Sequence, residues 1–233
     1  MGNDVKLIAW RGPAAECIGT LLFVFLGAGT VVVTGGLLGE ALSASRLIAI
    51  AMAHGLAITL LVAATARISG GHLNPAVTFG AFVTGKISLR RAGGYALAQL
   101  IGAAAGAWLL AMVIPAALQG NLGAHGLGAG ITPGSGVLAE IVLTFVLVFV
   151  VFATAIDPSG PGHLAPIAIG LAVLVDHLVG VPITGASMNP ARSFGPALIA
   201  GVWTNHWIYW VGPLIGALVA AFVYEAVFLR RKG

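Results

Sequence analysis

Two Asn-Pro-Ala triplets are the first residues in this sequence whose types and spacing suggest chemistry. They comprise Asn74, Pro75 and Ala76 in GGHLNPAVTFG, and Asn189, Pro190 and Ala191 in GASMNPARSFG. Asparagine is among the best N-cap residues, and proline is favoured at the first helical position. The pattern predicts short helices over 75–84 and 190–200, each about 15 Å long, or half of a bilayer core.

Helix starts of this kind can act on a small neutral permeant. Each Asn amide can donate to a water oxygen, and each helix N-terminus carries about half an elementary charge. One positive unit at about 4 Å costs a cation on the order of 4 kcal/mol at an effective dielectric constant of about 20. A water that accepts from both amides cannot also accept a proton from its neighbour. Passage of neutral molecules is therefore favoured over passage of protons and cations.

Arg192 directly follows the second triplet and adds a fixed positive charge. A charge in a membrane-spanning position costs at least about 2.5 kcal/mol and usually faces a cavity. In channel constrictions such an arginine donates hydrogen bonds to permeants and repels cations. We expect Arg192 to line a selectivity filter, the alternative being a side chain that snorkels to the outer interface.

The composition shows which elements must position these residues. Of the 233 residues, 59% are hydrophobic and 8% are charged, whereas soluble domains carry about 25% charged residues. A membrane-spanning helix needs about 20 apolar residues. Apolar runs cover residues 17–39, 47–66, 92–117, 141–156, 163–175 and 206–224. Most are near this length, and the two shorter runs reach it when their weakly polar flanks are included. The sequence predicts an all-α membrane protein with six spans.

The basic residues report topology and not a nucleic-acid partner, although the sequence pI is about 9.7. With six spans and both termini cytoplasmic, all Lys and Arg residues except Arg46 and Arg192 lie on the cytoplasmic side, as the positive-inside rule requires. The termini are short, and we expect a multi-pass protein of the plasma (inner) membrane.

The sequence also contains an internal duplication. AECIGTLLFVF at 15–25 aligns with AEIVLTFVLVF at 139–149, and ISGGHLNPAVTFG at 68–80 aligns with ITGASMNPARSFG at 183–195. Each copy holds an odd number of spans, so the second must enter the membrane from the opposite side. Inverted repeats place their functional site at the midplane between the halves. We expect one channel domain over 1–233, with repeats at 1–119 and 136–233 joined by an extracellular link.

The paired triplets, the repeated Ala-Glu and the inverted layout resemble the aquaporin, or major intrinsic protein, family. The resemblance covers nearly the whole chain and implies six transmembrane helices plus two re-entrant half-helices. It further implies a passive water channel that excludes protons and ions and forms a homotetramer in the lipid bilayer.

The same resemblance implies a filter ring formed by His54, His177, Ala186 and Arg192. Water-selective members usually carry Phe at the position of His54, and histidine at that position is typical of vacuolar and ammonia-conducting members. Those members usually lack His177, so this ring combines features of two subclasses. Ammonia and other very small neutral solutes are therefore left open as additional permeants beside water.

Further ionisable residues have supporting roles in this interpretation. The resemblance implies that Glu16 and Glu140 hold the backbone of the re-entrant loops, since buried carboxylates need partners. We expect His72 to line the cytoplasmic half of the pore or to brace its loop. Neither a cofactor nor a metal site is expected, because the histidines lack ligand spacing.

The sequence leaves four other functions as alternatives to a water channel. A glycerol or small-polyol facilitator usually has Asp after the filter arginine, where this chain has Ser193. An ion-coupled secondary transporter would need a midplane ionisable group, for which Asp176 is the unexplained candidate. An enzyme is not expected, because Ser187 lacks the glycine pattern of a nucleophile elbow and a catalytic acid. A structural role as a membrane junction is the remaining alternative.

Overall fold

The computed structural model describes residues 2–229, and within that range the chain is helical, without strands. The helices are α1 Gly2–Val32, α2 Ala44–Ser69, α3 Pro75–Val83, α4 Leu89–Val113, α5 Pro133–Val151, α6 Ala165–Thr184, α7 Pro190–Ala200 and α8 Ile208–Val223. Single π-helical turns extend α1, α5 and α8 at Val33–Leu37, Phe152–Ile156 and Tyr224–Phe228. Six helices, all except α3 and α7, are long and apolar enough to cross a membrane, which confirms the predicted spans.

The two short helices begin where the sequence predicts. Helix α3 starts at Pro75 with Asn74 as its N-cap, and α7 starts at Pro190 with Asn189 as its N-cap. The end of α7 is as predicted, whereas α3 ends one residue early, because Thr84 leaves helical backbone at φ −96° and ψ 9°.

Close helix contacts hold the spans together, with α1 against α4 and α5 against α8. Glycine permits both contacts. A Cβ at Gly102 of α4 would overlap the carbonyl of Cys17 in α1, and a Cβ at Gly216 of α8 would overlap the carbonyl of Ile141 in α5. Small residues are the usual means by which helices approach closely in lipid, where no hydrophobic force drives them together.

The short helices link the two halves of the chain. Helix α3, from the first half, packs on α8, and α7, from the second half, packs on α4. The N-terminal ends of α3 and α7 meet, because the Asn74 side chain contacts the loop that precedes α7 and the Asn189 side chain contacts the loop that precedes α3. The fold therefore brings both Asn-Pro-Ala triplets to one point inside the bundle.

Candidate functional site

Reciprocal hydrogen bonds fix the meeting point of the two short helices. Nδ2 of Asn74 donates to the Met188 carbonyl at 2.8 Å, and Nδ2 of Asn189 donates to the Leu73 carbonyl at 3.0 Å. The Oδ1 atoms cap the helices by accepting from the N–H groups of Ala76 at 2.8 Å and of Ala191 at 3.0 Å. An amide nitrogen carries two hydrogens, so each Asn retains one N–H for a molecule at the centre.

Glu16 lies in α1 and forms hydrogen bonds with the first loop. Its side chain is fully buried and accepts from the N–H groups of His72 at 3.0 Å and Leu73 at 2.5 Å, and from Nε2 of Gln99 at 2.8 Å. Leu73 has a left-handed backbone, with φ of 51°. The carboxylate thus holds a strained backbone whose carbonyl accepts from Asn189.

Glu140 occupies the equivalent position in α5 and is also fully buried. It accepts from the Thr184 hydroxyl at 2.6 Å and from the N–H groups of Ser187 at 2.9 Å and Met188 at 2.8 Å. Met188, like Leu73, is left-handed, with φ of 50°. Both loops are therefore organised by one carboxylate each.

The structure brings His54, His177 and Arg192 together near the Asn pair. The two imidazole rings stack with their centroids 4.1 Å apart, and Nε of Arg192 lies 3.3 Å from Nε2 of His54. Each Nδ1 lies 2.8 Å from a carbonyl of its own helix, at Ile50 or Val173. A carbonyl only accepts, so each Nδ1 carries the proton and each Nε2 is an acceptor.

Ala186 lies beside this cluster with a left-handed backbone, φ 60°, and is fully buried. A Cβ added at Gly180 of α6 would lie 2.8 Å from the Ala186 Cβ. Ala186 therefore packs against the helix that carries His177, about one turn further along it. The structure places all four predicted ring residues in the same region.

His125 is a member of this region that the sequence reasoning missed. It lies in the link between α4 and α5, is 7% exposed, and its ring centroid is 5.2 Å from that of Tyr209. The neighbouring Gly123 carbonyl accepts from Nη1 of Arg192 at 2.9 Å. The available signal was that His125 is the one titratable residue in the uncharged, glycine-rich stretch 120–136.

A cavity of about 410 Å³ leads from one end of the bundle to the ring. Its lining includes His72, Asn74, His177 and Asn189, with Arg91 and Ile156 among the residues toward the end of the bundle where the Glu225–Lys86 ion pair lies. Asp176 is buried at 4% exposure on α6 and is not among the lining residues described. The cavity thus joins the Asn pair and the ring into one path.

Comparisons with known proteins agree with this arrangement. The family model described as major intrinsic protein matches residues 4–224. Aquaporin TIP4-4 of Zea mays is 48% identical over 96% of this chain and 88% of its own length, and Aquaporin-4 of Mus musculus is 44% identical over 94% and 68%. The X-ray structure of the aquaglyceroporin from Plasmodium falciparum superposes with a TM-score of 0.83 over 93% of this chain and 96% of that one. At 24% identity, that likeness supports the fold alone.

The family match spans most of the chain, the relatives are named aquaporins, and the path carries paired Asn amides at its centre. The chain therefore belongs to the major intrinsic protein family and is a water channel of the aquaporin type.

Proposed function

We propose that water crosses this protein passively and in single file, past the Asn pair and then past the histidine–arginine ring. The observation that carries the proposal is the reciprocal bonding of Asn74 and Asn189, which leaves one amide N–H of each residue free beside the same cavity. A water held there accepts twice and has no lone pair free for a neighbour's proton. The two helix N-termini add about one positive unit, which opposes cations.

The ring residues are proposed to set selectivity. Arg192 supplies the fixed charge and the donors, while Nε2 of His177 is a buried acceptor without a hydrogen-bond partner among the described residues. Ala186 contributes only a methyl group and leaves space beside His177. Glu16 and Glu140 are proposed as supports of the loops, and His72 as a lining residue of the inner half.

Ammonia is the proposed second permeant. It has three N–H hydrogens to donate and a single lone pair, so it needs acceptors in the ring more than water does. The free Nε2 of His177 is such an acceptor, whereas Nε2 of His54 already accepts from Arg192. Glycerol fits less well, because a ring of two histidines and an arginine offers no apolar wall for its carbon chain.

Neither coupled transport nor catalysis is part of the proposal. Asp176 is not among the residues that line the cavity of about 410 Å³, and the Ser187 hydroxyl is engaged with Ser193 and with the Asn189 carbonyl instead of with a histidine base. We propose no enzymatic activity and no bound cofactor.

The proposed assembly is a homotetramer with one path per subunit, built from inverted repeats over 1–119 and 136–233. The distribution of lysine and arginine supports cytoplasmic termini, and we propose the plasma membrane as the site of residence. Cross-linking in native membranes tests the assembly. A fluorescent fusion imaged in the source cells tests the location, and signal in an internal membrane would replace the plasma-membrane proposal.

Stopped-flow light scattering on proteoliposomes tests the channel itself. Shrinkage in an impermeant osmolyte measures water flow, and re-swelling in glycerol, urea and an ammonium salt measures solute uptake. We expect fast shrinkage, ammonia uptake and no glycerol uptake. Shrinkage no faster than in empty liposomes would refute an open water path, and rapid glycerol uptake would refute the proposed selectivity.

A further inference from the structure

A chain of hydroxyl groups connects His125 to the second Asn-Pro-Ala triplet. Nδ1 of His125 lies 2.7 Å from the Ser193 hydroxyl, which lies 2.5 Å from the Ser187 hydroxyl. The Ser187 hydroxyl in turn lies 3.2 Å from the backbone carbonyl of Asn189 and 3.3 Å from its backbone nitrogen. All of these side chains are buried, so water does not compete for the bonds along the chain.

The hydroxyl protons in this chain can point in two ways. In one, Ser187 donates to the Asn189 carbonyl, Ser193 donates to Ser187, and Nδ1–H of His125 donates to Ser193. In the other, Ser187 donates to Ser193, and Ser193 donates to Nδ1 of His125. That Nδ1 is then unprotonated, and the imidazole proton is on Nε2. The first arrangement makes one hydrogen bond more, because the Asn189 carbonyl receives the Ser187 hydroxyl.

We propose that Ser187 and Ser193 are positioning residues that keep the proton of His125 on Nδ1 and so present its Nε2 as an acceptor in the filter region. That Nε2 is buried and has no hydrogen-bond partner among residues 2–229. His125 then matches His54 and His177, whose Nδ1 atoms are tied to carbonyls. His125 and His177 then each keep an Nε2 without a hydrogen-bond partner among residues 2–229, whereas Nε2 of His54 accepts from Arg192.

The ring of His125 is held in place and neutral. Its carbon edge lies against Gly185, where a Cβ would come within 2.6 Å of Cδ2, and Gly185 has φ of 88°. Burial, followed by the positive charge of Arg192, holds the pKa of His125 well below its ordinary value of 6.5. Because the ring is neutral at ordinary pH, the question is which nitrogen carries its one proton.

The first half of the chain supports the interpretation by contrast. His72 stands at the position equivalent to Ser187, and Thr78 at the position equivalent to Ser193. There the imidazole meets the hydroxyl directly, with Nδ1 of His72 3.1 Å from Oγ1 of Thr78. In the second half a serine replaces that histidine, and the imidazole is supplied by His125 from the link.

Nitrogen-15 solid-state NMR of the full chain in proteoliposomes, with labelled histidine, identifies the protonated nitrogen. A His125→Gln spectrum assigns the signal by difference. We expect wild-type His125 to carry its proton on Nδ1. In Ser187→Ala, Ser193 loses its acceptor and turns its proton toward Nδ1, so we expect the proton of His125 on Nε2. The His72 signal is the internal control, and Ser135→Ala, at an exposed serine in the first turn of α5, is the matched variant.

The permeability consequence rests on the proposed passage of ammonia. One acceptor fewer in the filter should lower the ratio of ammonia to water permeability in Ser187→Ala by about fivefold, the effect of one hydrogen bond. If the proton of wild-type His125 is on Nε2, or if the His125 signal is unchanged in Ser187→Ala, the proposed positioning role of the two serines is wrong. Absence of ammonia flux in the wild type would overturn the ammonia proposal alone, since the NMR result does not depend on flux.

Discussion

The carboxylate of Glu140 allows the support of the second loop to be tested quantitatively. In Glu140→Gln, one oxygen becomes an NH₂ group that can only donate. The Met188 N–H lies 2.8 Å from Oε2 of Glu140 in the wild type. If the new NH₂ group takes the place of Oε2, that N–H faces a donor in place of an acceptor. If it takes the place of Oε1, both the Ser187 N–H and the Thr184 hydroxyl lose their acceptor. The first orientation is the less costly one.

The magnitude follows from the bonds that are lost. A hydrogen bond to a charged group contributes about 1.5–3 kcal/mol, and a buried N–H without a partner costs about 1–3 kcal/mol. Relief from burying a charge offsets part of this sum, so we expect a net loss of about 2–4 kcal/mol. For a chain of this size that corresponds to a fall of roughly 4–16 °C in melting temperature.

Melting of the purified protein in detergent, followed by tryptophan fluorescence, measures this loss. Water flow in proteoliposomes should fall as well, because the Met188 carbonyl accepts from Asn74 at the pore centre. Glu40→Gln is the matched control, since Glu40 is exposed and its side chain makes no hydrogen bond among the described residues. Glu16→Gln should reproduce the loss in the other repeat. A Glu140→Gln melting temperature within about a degree of Glu40→Gln would refute the reasoning.

Three further changes test the ring and its surroundings. Arg192→Ala removes the guanidinium that donates to His54 and Gly123, and we expect cation leak in proteoliposomes to rise roughly tenfold or more. His177→Phe removes the free Nε2 acceptor and should lower the ammonia-to-water permeability ratio several-fold. His206, outside the spans, accepts from Nε1 of Trp210 at 3.0 Å, and burial lowers its pKa from the ordinary 6.5. The unfolded chain then binds that proton more readily, so this stability is present above pH 6.5 and is lost as the pH falls through the lower folded pKa. We expect the melting temperature of His206→Gln to depend less on pH below 6.5 than that of the wild type.

Controls separate each effect from general damage. For Arg192→Ala, unchanged cation leak would contradict a barrier that depends on the guanidinium. For His177→Phe, an equal fall in both permeabilities would indicate a narrowed path in place of a lost acceptor. For His206→Gln, the comparison is the difference in melting temperature between pH 8 and pH 5. A difference as large as in the wild type would assign the acid loss to other groups.

The spans and short helices could be predicted because their signals are local. Apolar length fixes a span, and an Asn-Pro pair fixes a helix start, with no information needed from elsewhere in the chain. The match of α7 to residues 190–200 illustrates this. The end of α3 at Val83 is set by a glycine cap, in which Gly85 has φ of 72° and the N–H groups of Gly85 and Lys86 donate to the carbonyls of Phe82 and Ala81.

The location of His125 could not be predicted, because a glycine-rich link carries no periodic pattern that says where it folds. Its position depends on tertiary contacts, including the bond from Arg192 to the Gly123 carbonyl and the ring of Tyr209. The Ser187–Ser193 bond, between residues six positions apart on either side of the second triplet, was not predicted, although both serines were noticed in the sequence. The roles assigned to the individual ring residues stay predictions until fluxes are measured.

The exchange of short helices between the halves has a consequence for how the chain can be divided. Because α3 packs on α8 and α7 on α4, each half offers a docking surface that only the other half fills. Neither piece alone could satisfy the carbonyls of Leu73 and Met188 with the amides that now bond them. A gene interrupted at the exposed Gly130 would therefore yield two inert fragments that regain conduction only when made in the same cell.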